Sequence, residues 1–164
     1  MKQAIVPHGI GIVSPAPGVS NEAAAIVRWV TVVLEHSNSM SLEAPRHALM
    51  VKVQSAYETA GEQGWDSYGA RKADPFSFYY AQQFASTIPA GFPAPEVGVD
   101  PDGELSFEWN YGPRDVFTVS VSPQAELSYA GLFGRSTTYG TEQFVDRLPP
   151  AILEGVRRLA RRAE

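Results

Sequence analysis

The sequence predicts an α+β fold in which an antiparallel meander of four to five strands carries its helices packed on one face. Apolar and polar side chains alternate through successive segments between residues 97 and 133, which is the period-two pattern of half-buried strands. Apolar residues instead recur every three or four positions in segments 41–61 and 74–88 and after Pro150, as they do in amphipathic helices. Helices that share one face of an antiparallel sheet define this fold class.

The composition is that of one ordinary domain with a hydrophobic core. The chain has 164 residues, of which 44% are hydrophobic and 19% charged. It contains no cysteine, which excludes disulfides, thiolate zinc sites and iron–sulfur clusters. The histidines, His8, His36 and His47, have no partner at the spacing of a helical metal site. We therefore predict no metal and no cofactor.

Charge is distributed unevenly along the chain. The net charge is -5, and residues 95–126 hold seven acids against one arginine, whereas residues 147–164 hold five arginines against two glutamates. Such an acidic chain does not fit general nucleic-acid binding, which depends on clustered Lys and Arg. The N-terminal residues lack the continuous apolar core of a signal peptide, and the apolar run 23–34 is too short to span a bilayer. These features predict a cytoplasmic protein without a membrane association.

Two regions are expected. Residues 1–38 form an N-terminal lead-in whose first 20 residues are punctuated by Gly and Pro, and residues 39–164 form a single α+β domain. Within the lead-in, Asn21 is placed to cap a helix over 21–35. The β-branched run 27–33 fits a strand equally well, so both conformations stay open there.

Three helices are predicted in the domain. The first begins at Ser41 as N-cap and runs to about Gly61, and its apolar stripe consists of Leu49, Val53, Tyr57 and Ala60. The second is capped by Asp74 with Pro75 at its first position, and its stripe consists of Phe76, Tyr80, Phe84 and Ile88. The third begins at Pro149-Pro150 and turns Ile152, Val156 and Leu159 inward.

The strands follow one another with short connections. Val97 and Val99 lead into an Asp100-Pro101-Asp102-Gly103 turn, and the next alternating segments are 105–110, 117–121 and 127–133. Residues 134–140 are expected to add a short edge strand. The phase of the alternation places Trp109 in the core.

The loop Trp65-Asp66-Ser67-Tyr68-Gly69-Ala70 is the first candidate for binding. Trp and Tyr dominate protein-interface hot spots, so these aromatics with the neighbouring acid are candidate contact residues. The favoured alternative is structural, with Trp65 folded over the sheet edge, Asp66 capping backbone amides and Gly69 at positive φ. Glu108, Tyr111 and Arg114 complete the predicted binding residues.

No catalytic residue is predicted, because no nucleophile, base and oxyanion site occur together and no Gly-x-Ser-x-Gly elbow is present. One enzymatic alternative stays open. It builds an acidic and tyrosine site from Asp66, Tyr68, Glu104 and Glu108 in a groove between the sheet and the helices.

The closing helix carries a basic patch of Arg157, Arg158, Arg161 and Arg162. These arginines suit phosphate contacts, which makes nucleic-acid binding a further alternative. Arginines in a last helical turn more often stabilise the helix dipole, and no aromatic side chains are interleaved with them.

The spacing of two motifs resembles that of a group of small uncharacterised bacterial proteins. The motifs are the Trp65-Asp66-x-Tyr68-Gly69-Ala70 loop and the Pro101-Asp102-Gly103-x-x-x-Phe107-Glu108-Trp109 hairpin. The resemblance covers residues 50–160 and implies no reaction, cofactor or catalytic residue. It implies a small accessory protein that works with a partner, such as an inhibitor, an antitoxin-like component or a defence-system accessory.

We therefore expect a non-enzymatic interaction module that binds another protein or associates with itself. The aromatic-rich sheet, its mixed reverse face and its edge strands are the surfaces on which such binding is expected.

Overall fold

The helices and strands succeed one another in the predicted order in a computed structural model that describes residues 44–163. The helices are α1 (44–59), α2 (Pro75–Thr87) and α3 (Pro150–Ala163). The strands are β1 (Glu96–Val99), β2 (Leu105–Asn110), β3 (Asp115–Val121), β4 (Glu126–Phe133) and β5 (Ser136–Gln143). The lead-in, with its predicted helix over 21–35, and the predicted N-cap Ser41 lie outside the described residues.

The strands form one antiparallel sheet in the order β1-β2-β3-β4-β5, which confirms the predicted fold class. Each strand pairs with its neighbour in sequence, so the sheet is a meander whose edges, among the described strands, are β1 and β5. The last strand is longer than the short edge strand predicted over 134–140, because it continues through Gln143.

One face of the sheet, here called the inner face, carries the core. Its buried side chains come from alternate positions of the three central strands: Leu105, Phe107, Trp109, Phe117, Val119, Val121, Leu127 and Phe133. Trp109 is buried as predicted, and its indole N–H donates to the carbonyl of Pro93 at 2.8 Å. Phe117 lies at the centre of this face, between Gly131 of β4 and Gly155 of α3.

Helix α1 packs through the predicted stripe. Leu49, Val53 and Ala60 are buried, and the Tyr57 ring stacks on Phe78 of α2 with centroids 4.2 Å apart. The stripe therefore joins α1 to both the core and the second helix.

Helix α2 begins as predicted, and its buried face overlaps the predicted stripe at Phe84 and Ile88. Asp74 accepts the amide N–H groups of Phe76 and Ser77 at 2.8 and 3.2 Å, which is the predicted N-cap. The predicted stripe is wrong at Phe76, whose side chain is 65% exposed. The face turned to the sheet consists of Ser77, Ala81, Phe84 and Ala85. Small side chains on this face let the helix backbone approach the strands closely.

The opposite, outer face of the sheet carries no described helix. It is made mainly of Ser and Thr side chains, with Val116 and Leu132 half-buried among them and Tyr139 83% exposed. The carboxylate of Asp100 joins three elements of this face, because it accepts the hydroxyls of Ser106 at 3.0 Å and Ser120 at 2.6 Å.

Candidate functional site

The loop after α1 is held in shape by the groups that the sequence motif supplies. Oδ1 of Asp66 accepts the amide N–H groups of Tyr68 and Ala70 at 2.8 and 3.0 Å. The indole N–H of Trp65 donates to the carbonyl of Arg71 at 3.0 Å, and Gly69 has a φ of 95°. These are the structural roles predicted for Asp66 and Gly69.

The same loop is fastened to the turn between β1 and β2. The amide of Arg71 donates to the carbonyl of Pro101 at 2.8 Å, and that of Asp74 donates to the carbonyl of Gly103 at 2.9 Å. A Cβ atom on Gly103 would lie 2.6 Å from the carbonyl oxygen of Lys72, and its φ is 94°. Glycine is therefore required where loop and hairpin meet.

Hydrogen bonds from the amides of Ala70 and Tyr68 lower the pKa of Asp66 below its ordinary value. Because the folded state favours the charged carboxylate, the loop gains stability above the ordinary Asp pKa and loses it as pH falls through the lowered pKa.

We predict that the amide resonances of Tyr68 and Ala70 titrate together with a midpoint below that of an ordinary Asp. An NMR pH titration checks this, with Asp66→Asn as the control in which the shared titration disappears. A midpoint at or above the ordinary value would contradict the prediction.

A groove lies between α1 and the edge strand β1. It has a volume of about 500 Å³ and is lined by Val51, Lys52, Ser55, Ala56, Thr59, Ala60, Trp65, Glu96, Val97, Gly98 and Val99. Trp65 thus joins the loop to this groove. The groove runs beside a strand that has only β2 as a neighbour in the described part of the chain.

The hairpin geometry shows which backbone groups of β1 face away from β2. The amide of Asp100 donates to the carbonyl of Glu104 at 2.8 Å, so Asp100 and Glu104 form a hydrogen-bonded pair. Bonded and non-bonded pairs alternate along an antiparallel ladder. In the observed register, Gly98 and Glu96 bond to β2, whereas the N–H and C=O groups of Val97 and Val99 point outward.

Lys52 covers one end of this edge. Its ammonium donates to the carbonyl of Pro95 at 3.2 Å and to Oε1 of Glu96 at 2.9 Å. Lys52 belongs to α1, and a charged side chain laid over a strand edge opposes unwanted strand pairing. The ion pair is exposed, so it is easily exchanged for a contact with another molecule.

Glu104 lies in a second, mixed-charge cleft of about 630 Å³. The cleft is lined by Gln63, Arg71, Lys72, Asp74, Asp102, Glu104, Pro123 and Gln124. Burial raises the pKa of Glu104, and the negative charges of Asp102 and Asp100 raise it further.

The structure does not bring the four residues of the enzymatic alternative together. Glu108 is exposed on the outer face because it alternates with the buried Phe107 and Trp109, so it points away from the helices. Tyr68 is 95% exposed, and the carboxylate of Asp66 is bound by its own loop. The predicted groove between sheet and helices is therefore wrong for this set.

The other predicted binding residues also lie apart. Tyr111 is 43% exposed and Arg114 is exposed, and both lie in the turn between β2 and β3. That turn is at the opposite end of β2 from the β1–β2 turn to which the Trp65–Ala70 loop is fastened, about 20 Å away at strand spacing. Glu108 lies in the half of β2 that leads into this turn, and its carboxylate accepts the side-chain amide of Asn110 at 3.0 Å.

Three arginines of the basic patch have partners within the domain. The guanidinium of Arg158 lies over the ring of Phe133 at 4.3 Å, Arg161 pairs with Glu154 at 2.7 Å, and Arg162 pairs with Asp115. Arg157 is exposed. The contacts of Arg158 and Arg162 fasten α3 to the ends of β4 and β3, whereas the Arg161–Glu154 pair lies within the helix, so three of the four guanidinium groups are engaged by the domain itself.

The groove does not follow from any pattern within one segment of the sequence. Val51, Lys52 and Ala56 come from α1, whereas Val97 and Val99 come from a strand more than forty positions later. The alternation of Val97 and Val99 predicted the strand correctly, but nothing in their pattern indicates that the strand lies at an edge beside a helix.

Residues 44–163 contain no cluster of three or more His, Asp or Glu side chains placed to hold a metal ion. None of the helices in that range is long and apolar enough to cross a bilayer. Comparison with protein-family models, curated proteins and solved structures finds no match for this chain.

Proposed function

We propose that this protein is a non-enzymatic cytoplasmic interaction module that binds an extended segment of another protein along β1. The observation that carries the proposal is the groove beside a strand edge whose backbone groups at Val97 and Val99 face outward. A module of this kind suits an inhibitor, an antitoxin-like component or a defence-system accessory, as the resemblance of the two motifs implies.

The backbone supplies the first part of the binding. Two outward residues offer two N–H donors and two C=O acceptors to an added strand, and such main-chain bonds provide affinity in β-strand addition. The short length of β1, four residues, limits the number of these bonds. Side-chain contacts must therefore provide much of the selectivity.

The groove supplies pockets for alternate side chains. Val97 and Val99 are half-buried on the inner-face side of β1, facing a groove wall that includes Val51, Ala56 and Trp65. Every second residue of an added strand points to that side. The residues of the partner segment that point into the groove are therefore expected to be apolar.

On the outer-face side of β1, the charges favour basic residues at the intervening positions of the added strand. Glu96 and Asp100 flank Gly98 along β1, and Glu108 lies beside Glu96 in the register. Lys52 pairs with Glu96 only, while Asp100 is held by the hydroxyls of Ser106 and Ser120, so this side of the strand carries three carboxylates and one ammonium. We therefore infer a partner segment in which apolar residues alternate with Lys or Arg.

We expect a synthetic peptide of about eight residues that alternates Val with Lys to bind with a Kd of about 10–100 μM. Val97→Pro removes an outward N–H without removing a bond to β2, so it should weaken binding at least about tenfold. Thr137→Pro makes the same change on the other edge and should bind like the wild type. Fluorescence anisotropy of the labelled peptide measures the Kd.

A second peptide that alternates Val with Glu controls for charge. It should bind more weakly than the Val–Lys peptide at low ionic strength, and the difference should shrink as salt is added. Equal binding of the Val–Lys peptide to the wild type and to a folded Val97→Pro variant would overturn the proposal. Lack of binding at millimolar concentration would do the same.

A further inference from the structure

The second edge of the sheet is longer than the first and differs from it in chemistry. β5 comprises eight residues, from Ser136 to Gln143. The turn Gly134-Arg135 joins it to β4, and the register pairs Phe133 with Ser136 across that two-residue connection. Because a two-residue hairpin closes on a hydrogen-bonded pair, the alternation turns the N–H and C=O groups of Thr137, Tyr139 and Thr141 outward.

A further hydrogen bond supports this assignment of the outward groups of β5. The amide of Phe144 donates to the carbonyl of Ala125 at 2.8 Å, so the even-numbered positions of this segment face β4. The odd-numbered positions consequently face away from it. Six outward backbone groups stand in a row within five residues of β5.

The β5 edge differs from the β1 edge in the charged residues and prolines that oppose strand pairing. From Ser136 to Thr141 the sequence has no Lys, Arg, Asp, Glu or Pro. β1 is half as long, begins at the Glu96–Lys52 ion pair, and lies between Pro95 and Pro101. Charges and proline at a strand edge oppose pairing with a second copy of the same edge, and β5 has neither between Ser136 and Thr141.

We propose that β5 pairs antiparallel with β5 of a second copy of this chain, about a two-fold axis at Tyr139. A two-fold axis brings the same strand edge of both copies together, so each outward N–H of one β5 meets an outward C=O of the other. This places Tyr139 beside the partner's Tyr139 on the outer face. Cross-strand aromatic pairs of this kind are stabilising.

The remaining neighbours in this register are compatible as well. Thr137 faces the partner's Thr141 on the outer face, and Thr138 faces the partner's Gly140 on the inner face. Ser136 faces the partner's Glu142, so no two acids are opposed. The equivalent pairing of two β1 edges about Gly98 would oppose Glu96 and the partner's Asp100, which is unfavourable. Charge therefore selects β5 for self-association.

The size of the contact sets its strength. Eight residues extend over about 27 Å, and a strand edge of that length buries well under the roughly 1,200 Å² total of a standard interface. The dimer is therefore weak and depends on concentration, with a Kd of about 10⁻⁵–10⁻⁴ M.

Sedimentation velocity over a concentration series tests the proposal. The wild type should shift from monomer to dimer across the micromolar to millimolar range. Tyr139→Lys and Thr141→Lys place a charge beside the axis and should each weaken dimerisation at least about tenfold. Gly98→Lys, the matched change on β1, should dimerise like the wild type. A dimer that survives both β5 changes, or a wild type that stays monomeric at millimolar concentration, would overturn the proposal.

The absence of cysteine permits a test of the register. In a hydrogen-bonded pair the Cα atoms are about 5.5 Å apart, which a disulfide can span. Tyr139→Cys should therefore form a disulfide-linked dimer on mild oxidation. Thr137→Cys places the two thiols about 14 Å apart and should not. The opposite pattern would overturn the two-fold axis at Tyr139.

Dimerisation through β5 and peptide binding at β1 use opposite edges of the sheet, and the two sets of variants separate them. Thr141→Lys should lose dimerisation and retain the Val–Lys peptide, whereas Val97→Pro should lose the peptide and retain dimerisation.

Discussion

Replacing Ser77 with alanine is expected to lower the free energy of unfolding by about 2–4 kcal/mol, although only one oxygen atom is removed. The Ser77 hydroxyl is fully buried between α2 and the sheet. It donates to the carbonyl of Val121 at 2.7 Å and accepts the amide N–H of Leu105 at 2.7 Å. It thus bridges the paired strands β2 and β3 at one end of their ladder. Alanine leaves a backbone donor and a backbone acceptor without their partner in the core.

A matched serine on the same helix controls for the loss of a hydroxyl. Ser86 is exposed and donates to the carbonyl of Gln83 at 2.6 Å, so Ser86→Ala should change stability by less than about 0.5 kcal/mol. Urea unfolding of both variants, with an unchanged m value, measures the difference. If Ser77→Ala were as stable as Ser86→Ala, the strands would bond directly without the bridge and the role assigned to Ser77 would be wrong.

Replacing Gly155 with alanine is expected to destabilise the domain by about 1–3 kcal/mol, the reverse of the usual effect in a helix. Within a helix, alanine is normally favoured over glycine by about 1 kcal/mol. Here a Cβ atom at position 155 would lie less than 3.0 Å from ring carbons of Phe117. On the other side, a Cβ at Gly131 would lie 2.7 Å from the same ring. The ring lies between these two glycines and beside the rings of Trp109, Tyr129 and Phe133, so a shift of the ring would displace a neighbour.

A double-mutant cycle with Phe117→Leu tests this contact. A smaller side chain at position 117 should relieve the overlap, so the double variant should be more stable than the sum of the single changes by about 0.5–3 kcal/mol. Additive losses, or a Gly155→Ala variant that is more stable than the wild type, would show that α3 shifts away from the ring at no cost.

The part of the fold that follows from local patterns was predictable from sequence. Alternation identified β2, β3 and β4, and the Asp-Pro pair identified the start of α2. The buried face of α2 was not predictable in this way. Apolar periodicity selects Phe76, whereas close packing of a helix on a sheet selects small residues such as Ser77 and Ala81. The extent of β5 was missed because its Ser, Thr and Gly residues do not alternate in hydrophobicity.

The candidate sites depend on contacts between distant segments, and this limits what the sequence can reveal. Asp66 and Gly69 act within one loop, so their structural roles were predictable. The groove joins α1 to β1, and Arg158 and Arg162 find their partners Phe133 and Asp115 on the sheet. None of these pairings leaves a pattern within one segment of the chain.

The meander has a consequence for avidity. Because neighbours in sequence are also neighbours in the sheet, β1 and β5 lie at opposite edges. In the proposed dimer, ten strands at about 4.8 Å spacing separate the two β1 strands by about 43 Å. A partner that carries two copies of the recognised segment on a tether of that reach would engage both ends at once, and weak single contacts would then produce a much more durable complex.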